Sequence, residues 1–517
     1  MSIAKRLAIG IDLGTTFSTI AILDDLGRPL TLDNAEGEKL TPSAVFFDET
    51  EIVVGKEAVK AIATDASQVA ECAKRKVGQR VFDQILGGRQ YPPEAILAWV
   101  LNKLRLDAQQ QIGEFPRVVI TVPAYFDEIR RKATQDAGYI AGFEVMDIIN
   151  EPTAAAISFG FQRGLMSADG QHHKPQNILV YDLGGGTFDV TVMRISGEDF
   201  VALATDGDVQ LGGRDWDQRL VDLVAEEFVR KHGIDPRDDA NTHGRVWRDC
   251  EDAKRTLTAR TKTSITCDYK GQAIRLDVTR DRFKEITQDL LDRTAFTTRQ
   301  TLQASGLQWS DLDRVLLVGG STRMPAVVSL LNELSGMIPD RSVSPDEAVA
   351  HGAVLHAALL LDRHEGKPPA FRVTNVNSHS LGVVATDPQT DRSRNAILIP
   401  RNTPLPTKAH RIFRTQKAGQ KSILVQIVEG ESPSPDDCSG LGKCTVRPLP
   451  AGLPAQTPID VRFRYEENGR LQVRVECAGQ ELQHEITRDN SLTQEQLDSW
   501  RHYISGVPPA ASATVSS

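Results

Sequence analysis

Apolar positions change their spacing once along this chain. Up to about residue 362, short aliphatic runs alternate with stretches in which apolar residues return every three or four positions. The runs at 7–12, 117–122, 178–182, 189–194 and 314–318 predict strands. The periodic stretches at 127–141, 215–231, 244–259, 281–304 and 346–361 predict helices. Strand and helix alternating over this length predict an α/β architecture. The last helix carries a start signal, with Ser344 as cap, Pro345 at the first helical position and Glu347 in the capping-box position. From about residue 373 the spacing drops to two. Ile459, Val461, Phe463 and Tyr465 alternate with polar residues, as do Leu471, Val473 and Val475 beyond Asn468-Gly469, which is a hairpin signal. "AILIPRNTPLPTK" and "KSILVQIVEGE" read as two further strands. The division that follows is a first domain over 1–362, a linker over 363–375 that starts in the charged, Pro- and Gly-bearing "DRHEGKPPAF", and an all-β domain over 376–486. Residues 487–517 read as one short helix and a disordered tail.

Composition narrows the classes of function. A chain of 517 residues is too long for one ordinary core. Its net charge of -9 argues against general nucleic-acid or anionic-membrane binding, so any phosphate site must be local. No apolar stretch reaches the length that spans a bilayer, and none precedes "LAIGIDLG" as a signal peptide would. Six cysteines without CxxC spacing predict free thiols in a reducing cytoplasm, although Cys438 and Cys444 are near enough in sequence to pair.

The chemistry begins with a repeated phrase. "GIDLGTTFST" (10–19) and "YDLGGGTFD" (181–189) each place an aspartate at a strand end, followed by a glycine-bounded threonine turn. Glycines there let backbone N–H groups approach phosphate oxygens, and the threonines add hydroxyl donors. Two such hairpins facing each other would clamp a polyphosphate, with Asp12 and Asp182 holding a hydrated Mg2+. Glu151, between an apolar run and Pro152, either completes a metal–water site or is a helix-start acid favoured by the helix dipole. In "CEDAKRTLT", Glu251, Lys254, Arg255 and Thr258 share one helix face, which suits a ribose and base or simply a solvated surface. "VLLVGGSTRMP" ends a strand in Gly319-Gly320, where an adenine could lie close to the backbone beside Arg323, or where the chain makes only a tight turn.

Together with "VITVPAYF", "IINEPTAAA", "LGGRDWD" and "SPDEAVAHGA", these phrases, in this order, resemble the 70-kDa heat-shock chaperone family. "NTPLPTK" and the NGR hairpin extend the resemblance into the β-domain. It implies an actin-like ATPase domain of duplicated ribonuclease H-like lobes, followed by a β-sandwich that grips extended peptides. It implies ATP or ADP with Mg2+ as the bound nucleotide, and unfolded client polypeptides, a J-domain co-chaperone and an exchange factor as partners. Carried over, Thr15, Thr16 and Gly184 to Gly186, including Gly185, contact phosphates, while Asp12 and Asp182 support Mg2+ through water. Glu151 and Thr187 position the attacking water and γ-phosphate, and Lys74 in "AKRKVG" reaches that phosphate. Glu251, Lys254, Arg255, Thr258, Gly319, Gly320, Ser321, Arg323 and Asp346 surround the nucleoside. Composition alone reads Lys74 as a surface charge.

Four departures from the pattern stand out. The chain between Lys74 and "VITVPAYF" is short. The linker reads "FRVTN" where the family has aliphatic residues, which predicts weaker docking. Asp147 stands where the family has an arginine for J-domain proteins, which predicts a dedicated or altered J-protein. The chain stops soon after "LDSWRHYI", without the family's helical lid, and "TDPQTDRSRN" (386–395) is polar where arch residues are usual; Ile423 and Val425 line a peptide pocket or belong to the β-core. The leading expectation is an ATP-dependent chaperone. The alternatives are a nucleotide-gated module that docks one folded partner, and a sugar-kinase-like phosphotransferase.

Overall fold

The computed structural model describes residues 7–165, 174–387, 389–467, 471–485 and 492–506. Two lobes of the first domain repeat one topology. In the first, strands Ile9–Leu13 and Phe17–Leu23 form an antiparallel hairpin, and Arg117–Val122 then Glu144–Asn150 add parallel strands beside it. In the second, Gln176–Leu183 and Phe188–Ser196 form the hairpin, with Arg314–Val318 parallel on one side and Asp199–Asp208 antiparallel on the other. The hairpins are in equivalent register: Asp12 pairs with Thr19 and Asp182 with Asp189. Each predicted strand of this domain is present, as are helices Glu128–Ile140, Gly213–His232 and Ala240–Ala259.

Two helices differ from expectation. The stretch 281–304 is split into Arg280–Ile286 and Gln288–Ala304 at Thr287, whose backbone leaves helical geometry (φ -118°, ψ 10°) while its hydroxyl donates to the Phe283 carbonyl at 2.8 Å. The last helix runs Ala348–His364, with Glu347 as its N-cap. Residues 344–347 form a turn instead, so the predicted capping box does not form. The Glu347 carboxylate is drawn to the other lobe, accepting from Lys39 at 2.9 Å and from Thr31. That helix packs on Glu151–Gln162 and on the first strand at backbone distance. A Cβ on Gly352 would lie 1.7 Å from the Ala154 carbonyl oxygen, and one on Gly10 would lie 2.2 Å from the Val354 nitrogen.

The second domain is a sandwich of two four-stranded sheets. One runs Ser393–Ile399, Leu381–Thr386, Ile423–Glu429, Ser439–Val446; the other runs Thr407–Arg414, Pro458–Tyr465, Leu471–Cys477, Gln480–Glu485. The run 396–408 is therefore not one strand: a loop over 400–406 carries the chain from one sheet to the other. The strands flanking Asn468-Gly469 pair as expected, while that turn lies outside the described residues, as does the tail from 507. Within 386–395, Thr386 ends one strand and Ser393 to Asn395 begin the next, while residue 388 lies outside the described residues. Ile423 and Val425 are buried in the sandwich core. Cys438 and Cys444 are free thiols.

The linker docks despite its polarity. Arg372–Thr374 adds a parallel strand to the edge of Asp199–Asp208. Phe371 is 3% exposed, edge-on to Phe200 at 5.8 Å, and Arg372 bonds Asp199 at 2.7 Å. Backbone pairing, one aromatic and one exposed ion pair thus take the place of an aliphatic run. The β-domain rests on the first domain through Arg401 and Asp206 at 3.0 Å and through His379, whose ring lies 4.3 Å from that of Tyr125. Helix Gln494–Ser505 then returns to the first lobe, laying Leu497, Trp500 and Ile504 on its core. Tyr139 donates to Asp498 at 2.5 Å, and Arg89 lies 4.6 Å over the Trp500 ring. Among the described residues no helix is long and apolar enough to cross a membrane.

The tight crossing is testable. Gly352→Ala must push two backbones apart, at a cost of about 1–3 kcal/mol. We expect a lower urea midpoint for the transition that reports the first domain; an unchanged midpoint would show that the crossing yields freely.

Candidate active site

The two glycine turns meet at the base of a cleft of about 530 Å³ between the lobes. Close approach explains why these positions carry no side chain: a Cβ on Gly185 would lie 2.3 Å from Thr16 Oγ1, and one on Gly186 would lie 2.3 Å from Thr15 Cγ2. Gly212 presses on the same turn from behind, 2.5 Å from the Gly186 nitrogen to its own would-be Cβ. Thr15, Thr16, Thr187, Gly184 and Gly185 line the cleft, as do Asp12, Asp182, Lys74 and Glu151. At the other end it is lined by Glu251, Lys254, Arg255, Thr258, Gly319, Gly320, Ser321, Arg323 and Asp346. Of the residues singled out from sequence, Gly186 alone is not a lining residue; it backs Thr15.

Lys74 is not a surface charge. It is 1% exposed, and its Nζ lies 2.5 Å from Glu151 Oε1. Four carboxylates gather around this one ammonium: Asp12, Glu151, Asp182 and Asp189. Burial, then the Glu151 charge, push Asp12 up to about 7 and Asp189 up to about 8, and hold Asp182 well above the usual carboxylate range. Thr121 donates to Asp12 at 3.1 Å, and the Tyr125 N–H donates to Asp189 at 2.9 Å. At the wider end, Lys254 bonds Asp217 at 2.7 Å and the Gly213 carbonyl at 2.9 Å. Glu251 accepts from Arg248 and Arg255 at 2.9 and 2.6 Å, and Arg323 pairs with Asp346. The Ser321 hydroxyl donates to the Gly184 carbonyl at 2.9 Å, tying this end of the cleft to the second glycine turn.

Sequence reasoning missed Asp189, Arg75, Arg214 and Asp217. The hairpin repeat offered a signal for Asp189, which pairs across from Asp182. Arg75, adjoining Lys74, donates to the Gly186 carbonyl at 2.7 Å and to Asp215 at 2.5 Å, so the first lobe braces the second lobe's turn. That contact has no sequence signature.

The site suits a hydrated cation beside phosphate. Carboxylates exceed the lone ammonium, so an added positive charge would relieve them. Among the described residues no three acidic, histidine or cysteine side chains converge closely enough to ligate an ion directly. Asp12 and Asp182, which line the cleft, are the carboxylates that could hold Mg2+ through its waters.

With this geometry in view, the comparisons decide the family. A family model described as Hsp70 protein matches residues 8–87 and 81–502. The chain belongs to the Hsp70 family. It is 37% identical over 507 residues to the chaperone protein DnaK of Halobacterium salinarum, covering 96% of this chain and 77% of that one. It is 38% identical over 526 residues to DnaK of Thermus thermophilus (95% and 82%) and 36% over 511 residues to DnaK of Thermotoga neapolitana (96% and 83%). The fold agrees with an Hsp70: a duplicated actin-like domain followed by a β-sandwich. In this Hsp70, Asp147 is not turned freely outward; His356 Nε2 lies 2.8 Å from its carboxylate.

A pH prediction follows from Asp189. Its folded value lies above its unfolded one, so the unfolded state binds fewer protons between about pH 4 and 8, and this group's contribution to stability falls as pH rises through that window. Asp189→Asn removes the term. We expect the variant to gain stability relative to the parent from pH 5 to 8 in the metal-free protein, with no gain below pH 4; a pH-independent difference would contradict the shift.

Proposed function

We propose that this Hsp70 is a cytoplasmic ATP-dependent chaperone that binds Mg-ATP, hydrolyses it slowly and couples the cycle to binding of unfolded or dedicated client polypeptides. The observation that carries this reading is the buried Lys74–Glu151 pair at the base of two opposed glycine turns. Lys74 presents the one ammonium at the phosphate end and neutralises charge there. Glu151 and Thr187 orient a water for in-line attack on the γ-phosphate, with no covalent intermediate. The bound Mg2+ would supply charge neutralisation across the phosphates. Thr15, Thr16 and the backbone of Gly184 to Gly186 hold the phosphates, and the Glu251–Thr258 face with Ser321 and Arg323 holds the nucleoside. The names of the DnaK relatives support chaperone action.

Coupling runs through the docked linker. While the lobes are closed, the strand Arg372–Thr374 keeps its edge and the β-domain stays seated; hydrolysis loosens that edge and frees the β-domain to grip peptide. A J-domain partner would meet Asp147 and His356 as a pair, in place of the family's arginine, so a dedicated or altered J-protein fits this surface. An exchange factor completes the cycle at family level.

Two experiments test this. Lys74→Ala should lower ATP turnover by on the order of 10²-fold while leaving ATP bound; undiminished turnover refutes the site. Client peptide should stimulate turnover of the parent. Arg372→Glu should weaken that stimulation without changing basal turnover, and adding Asp199→Lys should restore it. Stimulation unmoved by either change would remove the linker strand from the coupling.

A further inference from the structure

A second cavity, of about 500 Å³, lies away from the cleft, where the β-domain sits on the first lobe. One wall is the start of helix Pro93–Ile112 with helix Glu128–Ile140; the other is the sheet that contains Leu381–Thr386, Ile423–Glu429 and Ser439–Val446. Glu94, in the first turn of its helix, lines this cavity and is only 8% exposed. Its Oε2 is buried and has no hydrogen-bond partner among the described residues. The carboxyl accepts from its own backbone N–H and feels the Lys132 charge, but an oxygen left as Oε2 is, without a donor, remains unfavourable unless something further donates to it. Burial pushes Glu94 up to about 7.

The surroundings say what would donate. Asp136, bonded to Lys132 on its own helix, faces the same space, and Asp436 stands on the β-domain rim. Ile129, Val384 and Ile427 give the walls an apolar character. Cys438, half-buried, adds a neutral thiol. Lys443, exposed on the rim, is the one cation among the lining residues. Acid at the base, hydrocarbon on the sides and a volume in the range of small-ligand sites together fit a positively charged head on an aliphatic stem.

We propose that this interdomain cavity binds a protonated alkyl amine, a free polyamine or a polypeptide's lysine side chain, with Glu94 as its counter-ion. Because both domains line the cavity, the amine holds the β-domain on the first lobe. Binding at neutral pH draws Glu94 to its ionised form, so it is accompanied by proton release.

Titration calorimetry of the full chain with spermidine tests this, in two buffers of different ionisation enthalpy. Saturable binding with proton release supports the site, as does binding weakened by about tenfold or more in Glu94→Gln, with the proton signal gone. Asp436→Asn, on an exposed rim where folding is not at stake, should also weaken binding. A lysine-containing extended peptide, compared with its acetyl-lysine form, separates a polypeptide source from a free amine: loss on acetylation assigns the site to polypeptide, and spermidine binding alone assigns it to free amine. Absence of saturable binding by either probe overturns the proposal, and so does equal binding in Glu94→Gln. Binding that emerges only after Lys443→Ala also overturns it, since Lys443 would then already fill the cavity.

Discussion

The first domain depends on one constraint: negative charge concentrated where backbone is packed too tightly for side chains to shield it. The turns at Gly14 to Phe17 and Gly184 to Thr187 approach so closely that a single methyl at Gly185 or Gly186 would collide with Thr16 or Thr15. That closeness brings Asp12 and Asp182 into the same desolvated space as Glu151 and Asp189, against one buried lysine. Such a cluster is poorly balanced by itself. In the proposed function a triphosphate with a divalent cation would relieve it, because charge of both signs would arrive together.

The rest of the domain keeps the turns in that relation. Helices 151–162 and 348–364 touch at Gly352 and Ala154 with no room for a side chain, which fixes the lobes at their shared base. Above that crossing, where the glycine turns floor the cleft, Arg75 reaches from the first lobe to the Gly186 carbonyl and Asp215 in the second. The base is rigid because it is packed backbone on backbone, whereas the upper contacts are side-chain ion pairs that water can replace. Lobe motion is therefore expected above that crossing and not at it.

Much of this was legible before any coordinates. Hairpins repeated in sequence reappear as hairpins in equivalent register, because a strand end, a glycine turn and a strand start are local instructions. The break in 281–304 comes from the backbone of one residue, Thr287, which apolar spacing does not reveal. The predicted cap at Ser344 failed because Glu347 found a better partner in Lys39, more than three hundred residues away. Lys74 shows the same limit. Its burial results from tertiary packing, so only resemblance marked it, and Arg75 and Asp217 went unmarked. The linker was judged by its side chains, but its docking rests first on backbone pairing, to which any residue other than proline contributes.

Beyond the direct contacts of Arg401 and His379, the β-domain is fastened at both ends: strand 372–374 at its entrance, on the second lobe, and helix 494–505 at its exit, on the first. A body held at both ends has fewer ways to leave than one on a single tether. Losing one fastening leaves a pivot at the other, so separation should proceed as a swing before it becomes a release. Pulled apart mechanically, the molecule would give way in two steps, with the order set by which attachment is loaded in shear and which is peeled.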